Sequence, residues 1–115
     1  MDHVIYHYPG CGTSRSALAL LREAGIEPEI VLYLENPLGV EQLRALAHAL
    51  GGSARALLRS KEPLCAELGL DAPEVEDERI LAEIAAHPEL FNRPIVTGPR
   101  GARVCRPAEV VKELI

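Results

Sequence analysis

The chain predicts an α/β fold built on a four-stranded mixed sheet with a helical insertion, and three observations carry this. A strand pattern, a helix pattern and a second strand pattern follow one another within about thirty residues. The middle of the chain has helical periodicity only. Near the end, two short apolar runs flank Gly98-Pro99-Arg100-Gly101. At 115 residues, nearly half of them apolar, the chain suits one domain spanning 1–115. The insertion covers about residues 38–90. Phe is single and Trp absent, so the core must be aliphatic.

The first strand is expected at about residues 3–8, over Val4-Ile5-Tyr6-His7-Tyr8. A helix follows from near Ser14 to Ala24. Leu18 and Leu21, flanked by Ala17, Leu20 and Ala24, form its buried stripe, and Gly25 is a natural stop. Pro28 precedes Glu29-Ile30-Val31-Leu32-Tyr33-Leu34, a second strand. Strand, helix, strand at this spacing implies a parallel pair with a right-handed crossover.

In the insertion, Val40, Leu43, Leu46, Ala47 and Leu50 keep one helix face apolar until Gly51-Gly52. Ser53 can cap a short helix carrying Arg55, Leu57 and Leu58, and Pro63–Leu68 forms another turn or two. Asp77 caps a helix with Ile80, Leu81 and Ile84 inward, ended by Pro88. Pro94–Thr97 and Ala102–Cys105 then read as a hairpin. Pro107 suits the first position of a closing helix whose Val110, Val111 and Leu114 face inward. This order is the plan of a thioredoxin-like fold, with the hairpin antiparallel beside the parallel pair.

A formal charge of −5 argues against a general nucleic-acid surface, though not against a local basic pocket. Asp2 and His3 interrupt the start, and no uncharged run approaches 18 residues, so neither a signal peptide nor a membrane segment is expected. Three cysteines at irregular spacing do not make a disulfide framework, which suits the cytoplasm. A monomer is the default expectation.

Cys11 carries the chemistry. It sits where the first apolar run gives way to Pro9-Gly10 and then to Gly12-Thr13-Ser14-Arg15, at a strand-to-helix junction. There it lies beside the helix's first unpaired N–H groups and the positive end of its dipole, which favour the reactive thiolate. An ordinary cysteine has a pKa of about 8.5, and lowering it by two units needs roughly 2.7 kcal/mol. The helix end supplies about 0.3–1 kcal/mol, up to ~2 in a partly buried site, so helpers are required. Buried cysteines often act as apolar filler. Cys11 does not suit that use, because Gly, Pro, Ser and Thr bracket it.

Three arginines lie where the chain changes direction: Arg59 after the short helix, Arg93 before Pro94 and Arg106 before Pro107. Singly, each reads as a solvated charge. The two prolines hold Arg93 and Arg106 extended, however, and in a thioredoxin-like arrangement their strand ends can approach the Cys11 loop. Arginine's planar fork donates paired hydrogen bonds to oxyanions, so three together would create a pocket for a tetrahedral dianion.

Five blocks, in order and covering nearly the whole chain, resemble the glutaredoxin-coupled arsenate reductases. They are His7-Tyr8-Pro9-Gly10-Cys11-Gly12-Thr13-Ser14-Arg15, Tyr33-Leu34-Glu35-Asn36-Pro37, Arg55-Ala56-Leu57-Leu58-Arg59, Asn92-Arg93-Pro94-Ile95-Val96 and Arg103-Val104-Cys105-Arg106-Pro107. The resemblance implies reduction of arsenate to arsenite with glutathione and glutaredoxin. Cys11 matches the nucleophile that attacks arsenate and forms a sulfur–arsenic(V) adduct. Glutathione then joins the arsenic and reduces it, and glutaredoxin resolves the mixed disulfide. Arg59, Arg93 and Arg106 match the oxyanion-binding arginines, and Arg93-Pro94 the cis-proline step. No bound cofactor is implied; glutathione is a co-substrate.

Around the sulfur, His7 matches the family's histidine and would lower the thiol pKa if cationic; otherwise it is a hydrogen-bonded strand-end residue. Ser14 can donate to the thiolate, cap the helix, or both. Gly12 and Thr13 shape the loop and present N–H groups to the anion. No metal site is expected, since His3 and His7 would stand roughly 13 Å apart on a strand. His48 and His87 read as isolated surface residues. Cys65 and Cys105 read as structural, with occasional oxidation chemistry open to Cys105 beside Arg106.

Two rivals remain. A thioredoxin-fold regulator binding RNA polymerase often uses a C-x-x-C switch, which Ser14 denies here. A general monothiol oxidoreductase would not require three arginines. The C-x5-R class of arsenate reductases is set aside, because the sixth residue after Cys11 is Ala17.

Overall fold

A computed structural model describes residues 2–115. The chain divides into two compact units: Met1–Asn36 with Arg93–Ile115, and Pro37–Asn92. The first holds the sheet. Its elements are β1 (Val4–His7), α1 (Gly12–Glu23), β2 (Glu29–Leu32), β3 (Ile95–Gly98), β4 (Gly101–Val104) and a closing 3₁₀ helix, Ala108–Leu114.

The sheet order is β2-β1-β3-β4. β1 and β2 are parallel, with Val4 opposite Glu29 and His7 opposite Leu32. β3 runs antiparallel to both β1 and β4, giving the mixed sheet expected. Pro99 and Arg100 form the two-residue loop of the hairpin without positive φ, and Gly101, the first residue of β4, takes the positive φ of +120° that favours glycine. β2 is shorter than its apolar run. Glu35 and Asn36 both donate backbone N–H groups to Leu32 O, so the chain turns after Leu32 instead of extending through Leu34.

The core of this unit joins Ile5 and Val96 of the sheet to Ala17, Leu18 and Leu21 of α1 and to Ala108, Val111 and Leu114 of the closing helix. Burying a leucine such as Leu21 contributes about 1.5–3 kcal/mol. Two details differ from expectation. Ala24 is the exposed C-cap of α1 and lies outside its stripe. Pro107 is extended, at φ −68° and ψ 167°, and precedes the closing helix instead of starting it. That helix is 3₁₀, with three residues per turn, so 108, 111 and 114 share the inward face and Val110 is only half-buried.

The second unit is helical: α2 (Val40–Ala49), a 3₁₀ turn (Ala54–Leu57), α3 (Pro63–Glu67), α4 (Asp77–Ala86) and a 3₁₀ turn at Pro88–Leu90. α2 packs on α4, with Leu43, Leu46 and Ala47 of the former and Ile80, Leu81 and Ile84 of the latter buried. Ser53 Oγ accepts the Arg55 N–H, as a cap should. Asp77 does not cap α4. Glu76 holds that position, and the Asp77 carboxylate accepts the Ala54 N–H at 3.3 Å. Leu58 and Phe91 form an antiparallel bridge, tied by Arg59 N–H to Leu90 O and Asn92 N–H to Leu57 O, each at 2.7 Å.

Candidate active site

β1 delivers the chain to His7, and a tight turn follows in which the Cys11 N–H donates to Tyr8 O at 3.0 Å. Cys11 is the extended N-cap residue of α1, at φ −97° and ψ 121°. It therefore lies beside the N–H groups of the first turn, from Gly12 to Ser14, which have no partner within the helix. The cysteine is partly exposed, whereas Cys65 and Cys105 are fully buried.

The surroundings of Cys11 decide its ionisation. Burial acts to raise the pKa. Against it, the Ser14 N–H, the Arg93 and Arg106 guanidinium groups and the Thr13 N–H hydrogen-bond the sulfur and bring it down to about 7. Hydrogen bonds to the charged form favour that form. Cys105 shows the opposite balance: burial, aided by the charge of Glu113, pushes its thiol up to about 12. Burial also raises Cys65. Both suit the structural reading, and the oxidation chemistry considered for Cys105 finds no thiolate there near neutral pH.

The two arginines are themselves braced. Arg106 Nη1 donates to Arg93 O at 2.9 Å and lies 3.8 Å from Cys11 Sγ. Arg93 Nη1 donates to the Tyr33 hydroxyl at 3.4 Å, and its guanidinium carbon lies 4.8 Å from the centre of the Tyr8 ring, within cation–π range. The peptide bonds Arg93-Pro94 and Arg106-Pro107 are both cis. Tyr8 also explains Gly10. A Cβ there would fall 2.7 Å from the Tyr8 ring, so only glycine lets the ring lie as it does. Tyr8 and Tyr33 had no role in the expected site. Their signal was available, since a chain with three Tyr, one Phe and no Trp places both inside the blocks bearing the resemblance.

Ser14 plays a part different from those expected, whereas His7 takes the second of its two expected readings, a hydrogen-bonded residue at the end of β1. Ser14 is buried inside the first turn of α1 and is not its cap. Its Oγ is hydrogen-bonded to His7 Nδ1 at 2.6 Å and accepts the Tyr8 N–H at 3.2 Å. Its backbone N–H, not its hydroxyl, serves the sulfur. Burial, then the charges of Arg22 and Arg15, hold His7 below the ordinary histidine range. A cationic His7 is thus disfavoured, and its contribution is to hold Ser14 and the turn.

The structure gathers Cys11, Thr13, Ser14, Arg93 and Arg106 at one point, with His7 reached through Ser14. Gly12 adjoins them as the first residue of α1. Arg59 belongs to the helical unit, where its Nε lies 3.8 Å from the Glu62 carboxylate, longer than a hydrogen bond. Among the described residues, no three His, Cys, Asp or Glu side chains gather as a metal site would require. His3 Nε2 pairs with Leu114 O at 3.0 Å. Among the described residues no helix is long and apolar enough to cross a membrane.

A four-stranded mixed sheet with an activated cysteine at the N-terminus of its first helix defines a thiol-dependent protein of thioredoxin-like architecture. The ArsC family pattern matches residues 6–114, and the chain belongs to that family. It is 48% identical to an arsenate reductase of Rhizobium meliloti (strain 1021) over 115 residues, covering all of this chain and 82% of that protein. It is 46% identical over 112 residues to the uncharacterized protein YfgD of Escherichia coli (strain K12), covering 96% of this chain and 94% of that protein. The solved structure of an arsenate reductase from Vibrio cholerae superposes with a TM-score of 0.93 at 44% identity, covering 100% of this chain and 98% of that one.

Proposed function

We propose that this protein reduces arsenate to arsenite, with glutathione and glutaredoxin supplying the electrons, and that it works in the cytoplasm. The observation that carries the reading is a Cys11 thiol whose pKa, against burial, is brought to about 7 by the Ser14 N–H, the Arg93 and Arg106 guanidinium groups and the Thr13 N–H. The two arginines can grip an oxyanion as well. The thiolate attacks arsenic(V); a sulfur–arsenic bond forms, an arsenic–oxygen bond breaks, and the oxygen leaves as water after protonation. Arg93 and Arg106 donate to the remaining oxygens, with Arg59 the third donor by resemblance. No electrons have yet moved.

Glutathione then displaces a second oxygen, again as water. As the two arsenic–sulfur bonds break, Cys11 and glutathione sulfurs join in a disulfide and two electrons pass to arsenic, which leaves as arsenic(III) and takes up one water to become arsenite. A glutaredoxin thiolate takes the glutathionyl sulfur and returns Cys11 as thiolate. One cysteine suffices, because the second and third sulfurs come from outside.

Arsenite production by the purified protein with glutathione and glutaredoxin tests the reading. Cys11→Ala should abolish it. Turnover that persists in that variant, or a wild-type protein that reduces glutathione disulfides while ignoring arsenate, would overturn it in favour of a general monothiol oxidoreductase. Protection of Cys11 from alkylation by arsenate, beside phosphate and sulfate, separates these outcomes, since it requires an oxyanion pocket.

A further inference from the structure

An open groove of about 580 Å³ runs between α1 and the start of the closing 3₁₀ helix, lined by Gly12, Thr13 and Arg15 on one wall and Pro107 and Glu109 on the other. Its two walls begin beside the reacting sulfur. Gly12 and Thr13 follow Cys11 directly, and Pro107 follows Arg106, whose Nη1 lies 3.8 Å from Cys11 Sγ. The walls are held in place by the core that packs α1 against the closing helix. The groove is far larger than a tetrahedral oxyanion needs and falls in the range of small-molecule sites.

Its charges also differ from those of an oxyanion pocket. Arg15 and Glu109 present opposite signs, both are exposed, and among the described residues neither forms an ion pair. The Arg15 side chain is anchored, its Nη1 donating to Pro9 O at 2.7 Å. Along α1 the lining extends from Gly12 to Ala19, roughly 10 Å at 1.5 Å per residue. An extended tripeptide spans about the same length, at roughly 3.3 Å per residue.

We propose that this groove is the subsite of the thiol co-substrate, accepting a tripeptide-sized thiol that carries both carboxylate and ammonium groups, with Arg15 facing a carboxylate and Glu109 the ammonium. The inference rests on the proposed reaction, and it assigns that reaction's external thiol a place on the protein. The thiol binds with its sulfur toward Cys11 while arsenic occupies the side of Arg93 and Arg106.

The test compares glutathione with 2-mercaptoethanol, which has a thiol but no charges, in Arg15→Gln, Glu109→Gln and Ala19→Trp. Glutathione kcat/KM should fall at least fivefold in each variant, while the 2-mercaptoethanol rate and the arsenate KM stay within twofold. A glutathione to 2-mercaptoethanol ratio that matches wild type in all three overturns the proposal. The same ratio measured with glutathione disulfide and hydroxyethyl disulfide, reading the Cys11 mixed disulfide by mass, needs no arsenate. A ratio that drops there in a protein without arsenate turnover supports the groove and removes the reaction. A ratio unchanged there removes the groove, whether or not arsenate is reduced.

Discussion

His7 Nδ1 and Ser14 Oγ are hydrogen-bonded at 2.6 Å, and both residues are buried. This bond ties the end of β1 to the first turn of α1, on either side of the reactive cysteine. Ser14→Ala removes it and also deprives the Tyr8 N–H of its acceptor. Leaving a buried polar group unsatisfied costs about 1–3 kcal/mol, and this applies in full to His7 Nδ1 and in part to the half-buried Tyr8 N–H, so urea denaturation should show a loss of at least about 1 kcal/mol. The Cys11 alkylation midpoint should move less, because the Ser14 N–H that serves the sulfur is retained.

Histidine 7 also makes stability sensitive to acid. Its folded pKa lies below the ordinary 6.5, chiefly through burial. As pH falls through 6.5, the unfolded chain takes up a proton that the folded chain resists. This contribution to stability is therefore complete above about 6.5 and is lost on acidification until folded His7 itself titrates. Denaturation midpoints measured between pH 7 and 5 should fall with acid in wild type and less steeply in His7→Gln.

The Cys11 thiolate should be half-formed near pH 7, read as the midpoint of iodoacetamide alkylation rate against pH. Arg106→Ala and Arg93→Ala each remove a donor to the sulfur and should move that midpoint upward. The Arg106 hydrogen bond to Arg93 O survives Arg93→Ala, because that acceptor is backbone, so Arg106 should still serve the sulfur there and the double variant should shift the midpoint further than either single.

Tyr33 and Tyr8 position Arg93 without touching the reacting sulfur. Tyr33→Phe removes one net hydrogen bond worth about 1 kcal/mol, so the arsenate KM should rise roughly fivefold with the Cys11 pKa little changed. Gly10→Ala pushes the Tyr8 ring aside. Since the clash involves the far end of a side chain, Tm should hardly move, yet Arg93 loses its ring contact and the arsenate KM should rise about two- to fivefold.

Arg59 is placed among the oxyanion donors by resemblance. Arg59→Lys keeps the charge and loses the fork, so the arsenate KM should rise while the Cys11 alkylation midpoint stays fixed. An alkylation midpoint that shifts instead would assign Arg59 to the sulfur.

Much of this was legible in the residues themselves. Alternation and helical spacing placed every strand and the main helices, because burial imposes those periods whatever the neighbours. The position of Cys11 after Pro9-Gly10 and before a helix was equally local. Element ends were harder to read, since β2 stops where Leu32 O collects two N–H donors, and no propensity marks that residue. Val110 and Val111 are both apolar and fit an α-helix's inward face, but the 3₁₀ winding buries Val111 and leaves Val110 half-buried.

The order of elements, the reactive cysteine and the arginines that flank it were written in the chain, because each follows from short-range chemistry. Tertiary structure alone decided that Ser14 is a buried partner of His7 and not a cap, that burial holds His7 below the ordinary histidine range, and that Tyr8 and Tyr33 brace Arg93. Those facts depend on which groups meet across 60 residues of chain in the case of Arg93 and Tyr33, and on how much water each loses on burial. Neither quantity has a period or a motif.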